Sequence, residues 1–267
     1  MSLFSCFQCG AQFPDTPAPP PHCPICEDER QFVGWEGQKW LSRDELAATH
    51  RVVWRDDLGV PGIVVEPHFA IGQRALLLRE GDGCVMWDCI PLVTDAAIAY
   101  VRSLGGLKAI AISHPHFYGA CADWSTAFDN APVYLHQADS AWITRPHPAI
   151  APWSGDSLKL SDDIQLLRAG GHFPGGAMLH WRAGAEGRGA LFTGDIATVV
   201  MDRRFVSFMY SFPNYIPLNA TAVKGIAAAV APLQFDRIYG GWWGRNIAGG
   251  AKGAFDASVA RYLSAIA

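Results

Sequence analysis

Two groups of side chains in this sequence have the types and the spacing that metal coordination requires. The first consists of imidazoles and one carboxylate: His114 and His116 in Ser-His-Pro-His, His172 in Gly-Gly-His-Phe-Pro-Gly-Gly, and Asp195 in Phe-Thr-Gly-Asp. Each lies close behind a mostly apolar, strand-like run, so separate strand ends can present nitrogen and oxygen donors around one ion. The pattern predicts a metal-centred active site, and an empty, remodelled cleft is the alternative.

The second group consists of four cysteines near the amino terminus, Cys6-x-x-Cys9 and Cys23-x-x-Cys26. This paired spacing suits tetrahedral thiolate coordination better than a disulfide framework, and ordinary thiol pairs or redox disulfides are the alternative. A segment this short buries little apolar surface, so an ion would supply the missing folding free energy. We therefore predict structural zinc, in preference to electron-transferring iron.

The cysteine segment is expected to be a small domain of residues 1–41, followed by a large domain of residues 42–267. Residues 31–33 and 39–41 flank Glu36-Gly37, which predicts a hairpin. Ser42-x-x-Glu45 is a capping box that opens a short helix. The boundary is placed between the hairpin and this helix.

The elements that must position the histidines begin at about residue 50, where the coarse pattern is strand-rich and then alternates strand with helix. Residues 74–79 and 84–88 flank Glu80-Gly81-Asp82-Gly83, which predicts a hairpin, and Thr94 or Asp95 can cap a helix that ends at Gly105-Gly106. Residues 107–112 are apolar apart from Lys108, as in a strand covered on both faces, and the histidine pair follows at its carboxyl end. Further strands are predicted at 133–135, 164–167, 178–181, 190–192 and 235–239, and helices at 221–231 and 255–266.

Composition and charge limit the classes of partner. The chain has 267 residues, of which 50% are hydrophobic and 17% charged, as expected of a compact protein with a sizeable core. The net charge of −4 gives no electrostatic reason to expect nucleic acid or an anionic membrane surface as partner. Residues 1–40 carry two basic and five acidic side chains, whereas a nucleic-acid-binding ribbon should be basic. We expect a cytoplasmic protein without a membrane span that acts on a small molecule; the oligomeric state is not predicted.

The order of the motifs resembles the metallo-β-lactamase fold superfamily: a hairpin, His-x-His after a strand, Gly-His-x-Pro-Gly, then Thr-Gly-Asp, over about residues 60–250. The resemblance implies an α/β fold, a four-layer αββα sandwich with the metal site at one edge of the paired sheets. It makes His114, His116 and His172 the ligands of the first metal position and Asp195 the bridging carboxylate. Asp88 matches the acidic residue that supports the metal loop. The cysteine pairs resemble rubredoxin or zinc-ribbon knuckles, with Glu27 where the second knuckle carries glycine.

The departures from the superfamily motif concern its second metal. The usual His-x-His-x-Asp-His ends here in Tyr118 and Gly119, and the late Gly-His motif is replaced by glycines followed by Trp242 and Trp243. We therefore expect one ion, zinc or iron, at the histidines. Its bound water would be the nucleophile, with Asp195 orienting that water and Tyr118 donating a hydrogen bond or proton to the leaving group.

Three classes of function follow. The resemblance favours a single-metal hydrolase in which metal-bound hydroxide attacks a small ester, thioester, lactone or amide. His114, His172 and Asp195 by themselves form a two-histidine, one-carboxylate triad, so a mononuclear iron dioxygenase acting on sulfur compounds is the second. The third is a catalytically inactive binding module in which the tryptophans fill the space of the second metal.

Overall fold

The computed structural model describes all residues from Met1 to Ala267. Contacts along the chain divide it into two compact units. The first comprises Met1–Leu135 and Ser140–Pro152, and the second comprises His136–Asp139 and Trp153–Ala267. The cysteine segment belongs to the first unit, and the boundary expected after residue 41 stays a prediction.

The amino-terminal segment is a two-stranded sheet with two short helices: β1 (Phe4–Cys6), α1 (Pro24–Glu27), β2 (Trp40–Ser42) and α2 (Arg43–Thr49). Strands β1 and β2 are antiparallel, and Cys6 lies opposite Trp40. The predicted hairpin is therefore wrong. Residues 31–33 form no strand, because Gln31 closes a turn onto the carbonyl of Asp28 and β2 pairs with the start of the chain instead.

The capping box at the start of α2 is confirmed. The Ser42 side chain accepts a hydrogen bond from the amide of Glu45, whose carboxylate accepts one from the amide of Ser42 at 2.8 Å. Both groups satisfy backbone donors that the first turn of a helix leaves without a partner. The local sequence is therefore sufficient to begin this helix.

The first unit is built on a seven-stranded sheet in which the strands lie in chain order. They are β3 (Arg51–Asp57), β4 (Val60–Glu66), β5 (Arg74–Glu80), β6 (Gly83–Trp87), β7 (Leu107–Ala111), β8 (Val133–His136) and β9 (Ile150–Trp153). The pairs from β3 to β6 are antiparallel, whereas β6, β7 and β8 are parallel. The predicted hairpin is β5 and β6, with Glu80 opposite Gly83. The histidine pair follows β7 at its carboxyl end.

Two helices of this unit, α3 (Asp95–Ser103) and α4 (Cys121–Ala127), lie on either side of β7 in the chain. Thr94 caps α3 as predicted, because its side chain accepts from the amide of Ala97. Gly105 ends the helix with a φ of 102°, and a Cβ there would lie 1.8 Å from the carbonyl oxygen of Asp82. Only glycine fits this position, so the predicted stop has a steric cause.

The second unit is built on a six-stranded sheet: β10 (Ser157–Lys159), β11 (Ile164–Arg168), β12 (Ala177–Trp181), β13 (Ala190–Gly194), β18 (Arg237–Gly240) and β19 (Asn246–Ile247), in that order. Two ribbons lie between β13 and β18 in the chain: β14 (Thr198–Val199) with β15 (Val206–Ser207), and β16 (Met209–Ser211) with β17 (Ile216–Pro217). The strand β13 is parallel to β18 and ends directly before Asp195.

The helical elements of the second unit are the single turn α5 (Gly184–Gly187), α6 (Ala220–Val230) and α7 (Ala251–Ala265). The longer two, α6 and α7, bury Val223, Ile226 and Phe255 in a core with Ile238 and Phe208. Helix α7 begins four residues before the predicted start at 255. The reason is a contact distant in sequence, since the backbone of Asp236 accepts from the amide of Ala251 at 3.1 Å. No helix in the chain combines the length and the hydropathy that crossing a membrane requires.

Candidate metal centres

Cys6, Cys9, Cys23 and Cys26 form one buried group, which we call the four-cysteine cluster. Their sulfur atoms all lie within 4.8 Å of one another; Cys6 and Cys26 are 3.4 Å apart, and Cys9 and Cys23 are 3.7 Å apart. No disulfide joins them. A tetrahedral zinc ion with bonds of about 2.3 Å places its sulfurs about 3.8 Å apart, so these thiols have the separation of ligands to one ion.

The chain turns tightly between the first two cysteines. The amide of Gly10 donates to the carbonyl of Cys6 at 2.9 Å, and Gly10 has a φ of 79°. A Cβ at this residue would lie 3.1 Å from the Cβ of Ala70 and 3.2 Å from that of Pro91. The conformation and the close neighbours both require glycine, which explains the Cys-x-x-Cys-Gly spacing.

The four thiols also influence one another's protonation. Hydrogen bonds from the neighbouring thiols, first from Cys23, hold the pKa of Cys6 far below its ordinary value. The hydrogen bond with Cys23 is also the largest cause that raises the pKa of Cys9 and of Cys26, and burial raises both pKa values further. Of the thiols whose pKa shifts, Cys6 is therefore the one that most readily gives up its proton. Binding of a cation as thiolates would release the remaining protons.

His114, His116, His172 and Asp195 form the second group, which we call the His/Asp group. Each offers one ligand atom, these atoms all lie within 4.8 Å of one another, and all four residues are buried. His172 Nε2 lies 3.6 Å from Asp195 Oδ1. Donors around a tetrahedral ion with bonds of about 2.1 Å are separated by about 3.4 Å, so the three imidazoles and the carboxylate fit one ion.

His172 lies in a loop that depends on its glycines. The amides of Ala169 and Gly170 both donate to the carbonyl of Gly176, at 2.8 and 2.9 Å, which closes the loop. A Cβ on Gly176 would lie 2.1 Å from the carbonyl oxygen of Gly170. His172 Nδ1 lies 3.2 Å from the carbonyl oxygen of Met209. Because a carbonyl only accepts, this contact places the proton on Nδ1 and leaves the Nε2 lone pair directed at the Asp195 side.

Asp195 is held at the end of β13 by a compact turn. Thr193 Oγ1 donates to the carbonyl of Ala197 at 2.9 Å, and the carbonyl of Thr193 accepts from the amide of Ile196 at 3.0 Å. The register between β13 and β18 shifts between Phe192 and Gly194. Such an irregularity re-aims a side chain at the end of a strand, here that of Asp195.

Asp88 fixes the start of the segment that carries His114. Its Oδ1 accepts from the amide of Ser113 at 2.8 Å, and its own amide donates to the carbonyl of Ala111. Ser113 Oγ in turn lies 3.0 Å from His114 Nδ1. Asp88 therefore contacts the residue before the first histidine, in line with the supporting role implied by the resemblance.

Burial raises the pKa of Asp88 to about 7, against the lowering effect of the hydrogen bonds from Ser113. The unfolded chain has a pKa of about 3.9 at this residue, so the folded state holds one extra proton between about pH 4 and pH 7. Stability from this group is therefore present at pH 4 and is lost as the pH rises to 7, by at most about 4 kcal/mol.

We expect Asp88→Asn to remove this pH dependence from protein whose His/Asp group has been demetallated, because the amide keeps the acceptor and does not titrate. Melting temperatures measured from pH 4.5 to pH 8 check it. Asp162→Asn, at an exposed carboxylate, is the control and should leave the wild-type slope. Equal slopes in wild type and Asp88→Asn would contradict the prediction.

Position 119 cannot carry the histidine of the usual motif. Gly119 has a φ of 47°, and a Cβ there would lie 2.8 Å from both the carbonyl carbon and the carbonyl oxygen of Ile90. Tyr118, which occupies the aspartate position, is buried, and its amide donates to the carbonyl of Pro115 at 3.3 Å. The backbone itself thus excludes a second-metal ligand at residue 119. The role of Tyr118 as a proton donor stays a prediction.

Sequence reasoning did not find Asp139, a buried carboxylate beside the His172 loop. Asp139 Oδ1 accepts from the amide of Gly175 at 2.8 Å. A Cβ on Gly175 would lie 2.7 Å from the carboxyl carbon of Asp139, so the two residues are in close contact. Asp139 lies in a short 3₁₀ segment, Gln137–Trp142, with no motif around it. The only sequence signal is an acidic residue shortly after a buried strand, which many surface residues share.

Solved structures of metallo-β-lactamases resemble this chain. The crystal structure of VMB-1 at pH 5.5 matches with a TM-score of 0.59 and 15% identity, over 81% of this chain and 99% of that one. DIM-1 metallo-β-lactamase exposed to ceftazidime gives 0.58 and 13%, over 82% and 98%. The mono-zinc form of the metallo-β-lactamase FIM-1 from Pseudomonas aeruginosa gives 0.57 and 15%, over 80% and 96%. The predicted α/β class and the resemblance are confirmed: this is a divergent protein of the metallo-β-lactamase fold.

Sequence comparison gives the narrower family. The chain belongs to the family of the uncharacterized protein YmaE of Bacillus subtilis (strain 168), with 43% identity over 269 residues, which cover all of this chain and 97% of that protein. No protein-family model matches the chain.

Proposed function

We propose that the protein is a single-metal hydrolase that attacks the carbonyl group of a small ester, thioester, lactone or amide. The observation that carries the proposal is the His/Asp group itself, three imidazoles and one carboxylate buried within 4.8 Å of one another. This donor set suits zinc or iron. The backbone at Gly119 supports a single ion, because it leaves no room for a histidine side chain at the residue where the usual motif carries a ligand to the second one. The mono-zinc form of FIM-1 is a precedent for one zinc ion in this fold.

His114, His116 and His172 would hold the ion, with Asp195 beside them. When bound, such an ion acts as a Lewis acid and lowers the pKa of a coordinated water to about 7, which makes hydroxide available at neutral pH. The contact between His172 and the carbonyl of Met209 keeps the imidazole in the tautomer that presents Nε2. The chain thereby prepares one ligand before any ion arrives.

Asp195 is the carboxylate left to orient the attacking water, since Tyr118 stands at the aspartate position of the usual motif. Its Oδ1 is 3.6 Å from His172 Nε2, which places an acceptor beside the metal ligands. Tyr118 would donate a hydrogen bond or proton to the leaving group through its phenolic hydroxyl. The four-cysteine cluster would hold structural zinc.

The proposed substrate is a small molecule, and the proposed compartment is the cytoplasm. All seven cysteines are free thiols, and four of them are gathered in one buried cluster. A reducing compartment keeps such a cluster available for a metal, whereas an oxidising one favours disulfides.

Metal analysis and a hydrolysis assay on the same preparation test this function. Protein purified without chelator should contain two zinc ions per chain and hydrolyse at least one member of a panel of ester, thioester, lactone and amide substrates. Two other outcomes would overturn the proposal. Iron at the His/Asp group with oxygen uptake on a persulfide or thiol would favour the dioxygenase. An ion in the four-cysteine cluster alone, with no turnover, would favour the binding module.

A further inference from the structure

Gln12 lies between the four-cysteine cluster and the segment that carries the histidine pair, and each of its polar groups is hydrogen bonded. Its amide donates to the carbonyl of Gly119 at 3.3 Å, and its carbonyl accepts from Thr144 Oγ1 at 2.9 Å. In the side chain, Nε2 donates to Asp123 Oδ2 at 2.9 Å and Oε1 accepts from Arg145 Nη1. Arg145 also donates to Asp123 Oδ1 at 2.6 Å. The residue is 4% exposed.

The two charged neighbours fix the orientation of the Gln12 amide. A carboxylate only accepts and a guanidinium only donates, so the NH₂ group must face Asp123 and the oxygen must face Arg145. Hydrogen bonds to charged partners are stronger than those between neutral groups. The amide is therefore held in one rotamer by contacts on both sides.

At its other end Gln12 is part of the cysteine turn. It follows Cys9 by three residues and forms a β-bridge with Ser5. The amide of Cys6 donates to the carbonyl of Ala11 at 2.9 Å, directly before Gln12. An ion that fixes Cys6 and Cys9 would consequently also fix the backbone from which the Gln12 side chain extends.

The partners of Gln12 lie just beyond His116. A 3₁₀ turn, Pro115–Phe117, contains that histidine, and the amide of Phe117 donates to the carbonyl of His114 at 3.0 Å. Gly119 follows this turn, and Asp123 lies in the first turn of α4. Gln12 thus contacts Gly119, which connects the Pro115–Phe117 turn to α4, and Asp123, which lies within α4. Loss of these contacts would loosen the residues that place His116.

We infer that Gln12 is a positioning residue through which the four-cysteine cluster holds the 114–120 segment in place for metal binding. The positioning itself stands on the contacts above, whereas its effect on metal affinity rests on the proposed function. Gln12 touches neither the substrate nor the ion. It acts through Gly119 and Asp123.

The experiment compares Gln12→Leu with Gln8→Leu, a glutamine in the same cysteine turn whose side chain lines a cavity with Gly34, Trp35 and Gln38. Hydrogen exchange of the 117–124 amides is measured in both variants and in wild type. Competition with a chelator gives the zinc affinity of the His/Asp group, with the four-cysteine cluster kept filled. We expect Gln12→Leu to speed exchange and to weaken zinc binding by roughly tenfold each, and Gln8→Leu to change neither.

Unchanged exchange in Gln12→Leu would overturn the inference, whatever its zinc affinity. If that variant does not fold, Gln12→Glu serves instead: it keeps the acceptor for Arg145 and places a second carboxylate against Asp123, so it should again speed exchange at 117–124. Should wild type hold no metal at the His/Asp group, the proposed function fails, while the exchange comparison still decides the positioning role.

Discussion

Replacing His172 with alanine is expected to empty the His/Asp group and to abolish hydrolysis, while the four-cysteine cluster keeps its ion. The variant removes a first ligand whose Nε2 lies 3.6 Å from Asp195 Oδ1. Loss of an outer partner of a metal ligand costs roughly 10–100-fold in affinity or activity, and loss of the ligand itself should exceed that. Elemental analysis should give one ion per chain in place of two, with the fold retained by circular dichroism.

His180→Ala is the matched control. His180 lies in β12 of the same unit, and its Nε2 is 2.8 Å from the carbonyl oxygen of Gln234, apart from the metal donors. We expect this variant to keep both ions and full turnover. Two ions and undiminished turnover in a folded His172→Ala protein would remove the basis of the proposed mechanism. If water takes the ligand position of the lost imidazole, the double variant His114→Ala, His172→Ala provides the test, because it removes two ligands at once.

Replacing Cys23 with serine should produce the largest loss of stability. The buried apolar cluster around these thiols has seven residues, and four of them are the cysteines themselves: Cys6, Cys9, Ala11, Phe13, Cys23, Ile25 and Cys26. Without an ion this segment has little apolar surface to hold it together. Structural zinc supplies about 10–16 kcal/mol in zinc-finger peptides, so the segment should lose its fixed structure when the cluster cannot bind.

Zinc content, limited proteolysis and thermal unfolding measure this result. Cys23→Ser should lose one zinc ion and be cleaved within residues 1–41 under conditions in which wild type is resistant. Cys84→Ala changes a buried thiol of β6 outside the cluster, and it should keep both ions at a cost of about 1 kcal/mol. Full zinc content and unchanged protease resistance in Cys23→Ser would show that the four thiols are not ligands.

The elements that the sequence predicts correctly are those whose ends depend on residues close together in the chain. The cap at Thr94, the stop at Gly105 and the capping box at Ser42 depend on residues within a few positions of one another, and all three occur as predicted. The pairing of β2 was predicted wrongly, because its partner β1 lies far from it in the chain. The start of α7 was placed four residues too late, because Asp236, which contacts it, is also distant in sequence.

The same distinction applies to the metal centres. The motifs supplied the eight candidate donors, because each motif is a short pattern that can be recognised by itself. Asp139 and Gln12 carry no pattern: their partners Gly175 and Gly119 lie 36 and 107 positions away. Residues that support a site through such contacts become visible only in three dimensions.

The conformation of Gly119 limits how the metal site of this protein can be re-engineered. Building the second metal position of the usual superfamily motif would require a histidine at this residue, yet its first side-chain atom would collide with the peptide group of Ile90. A protein engineer would have to reroute residues 89 and 90 before changing residue 119. A second metal site therefore cannot be introduced here by exchanging residue 119 alone.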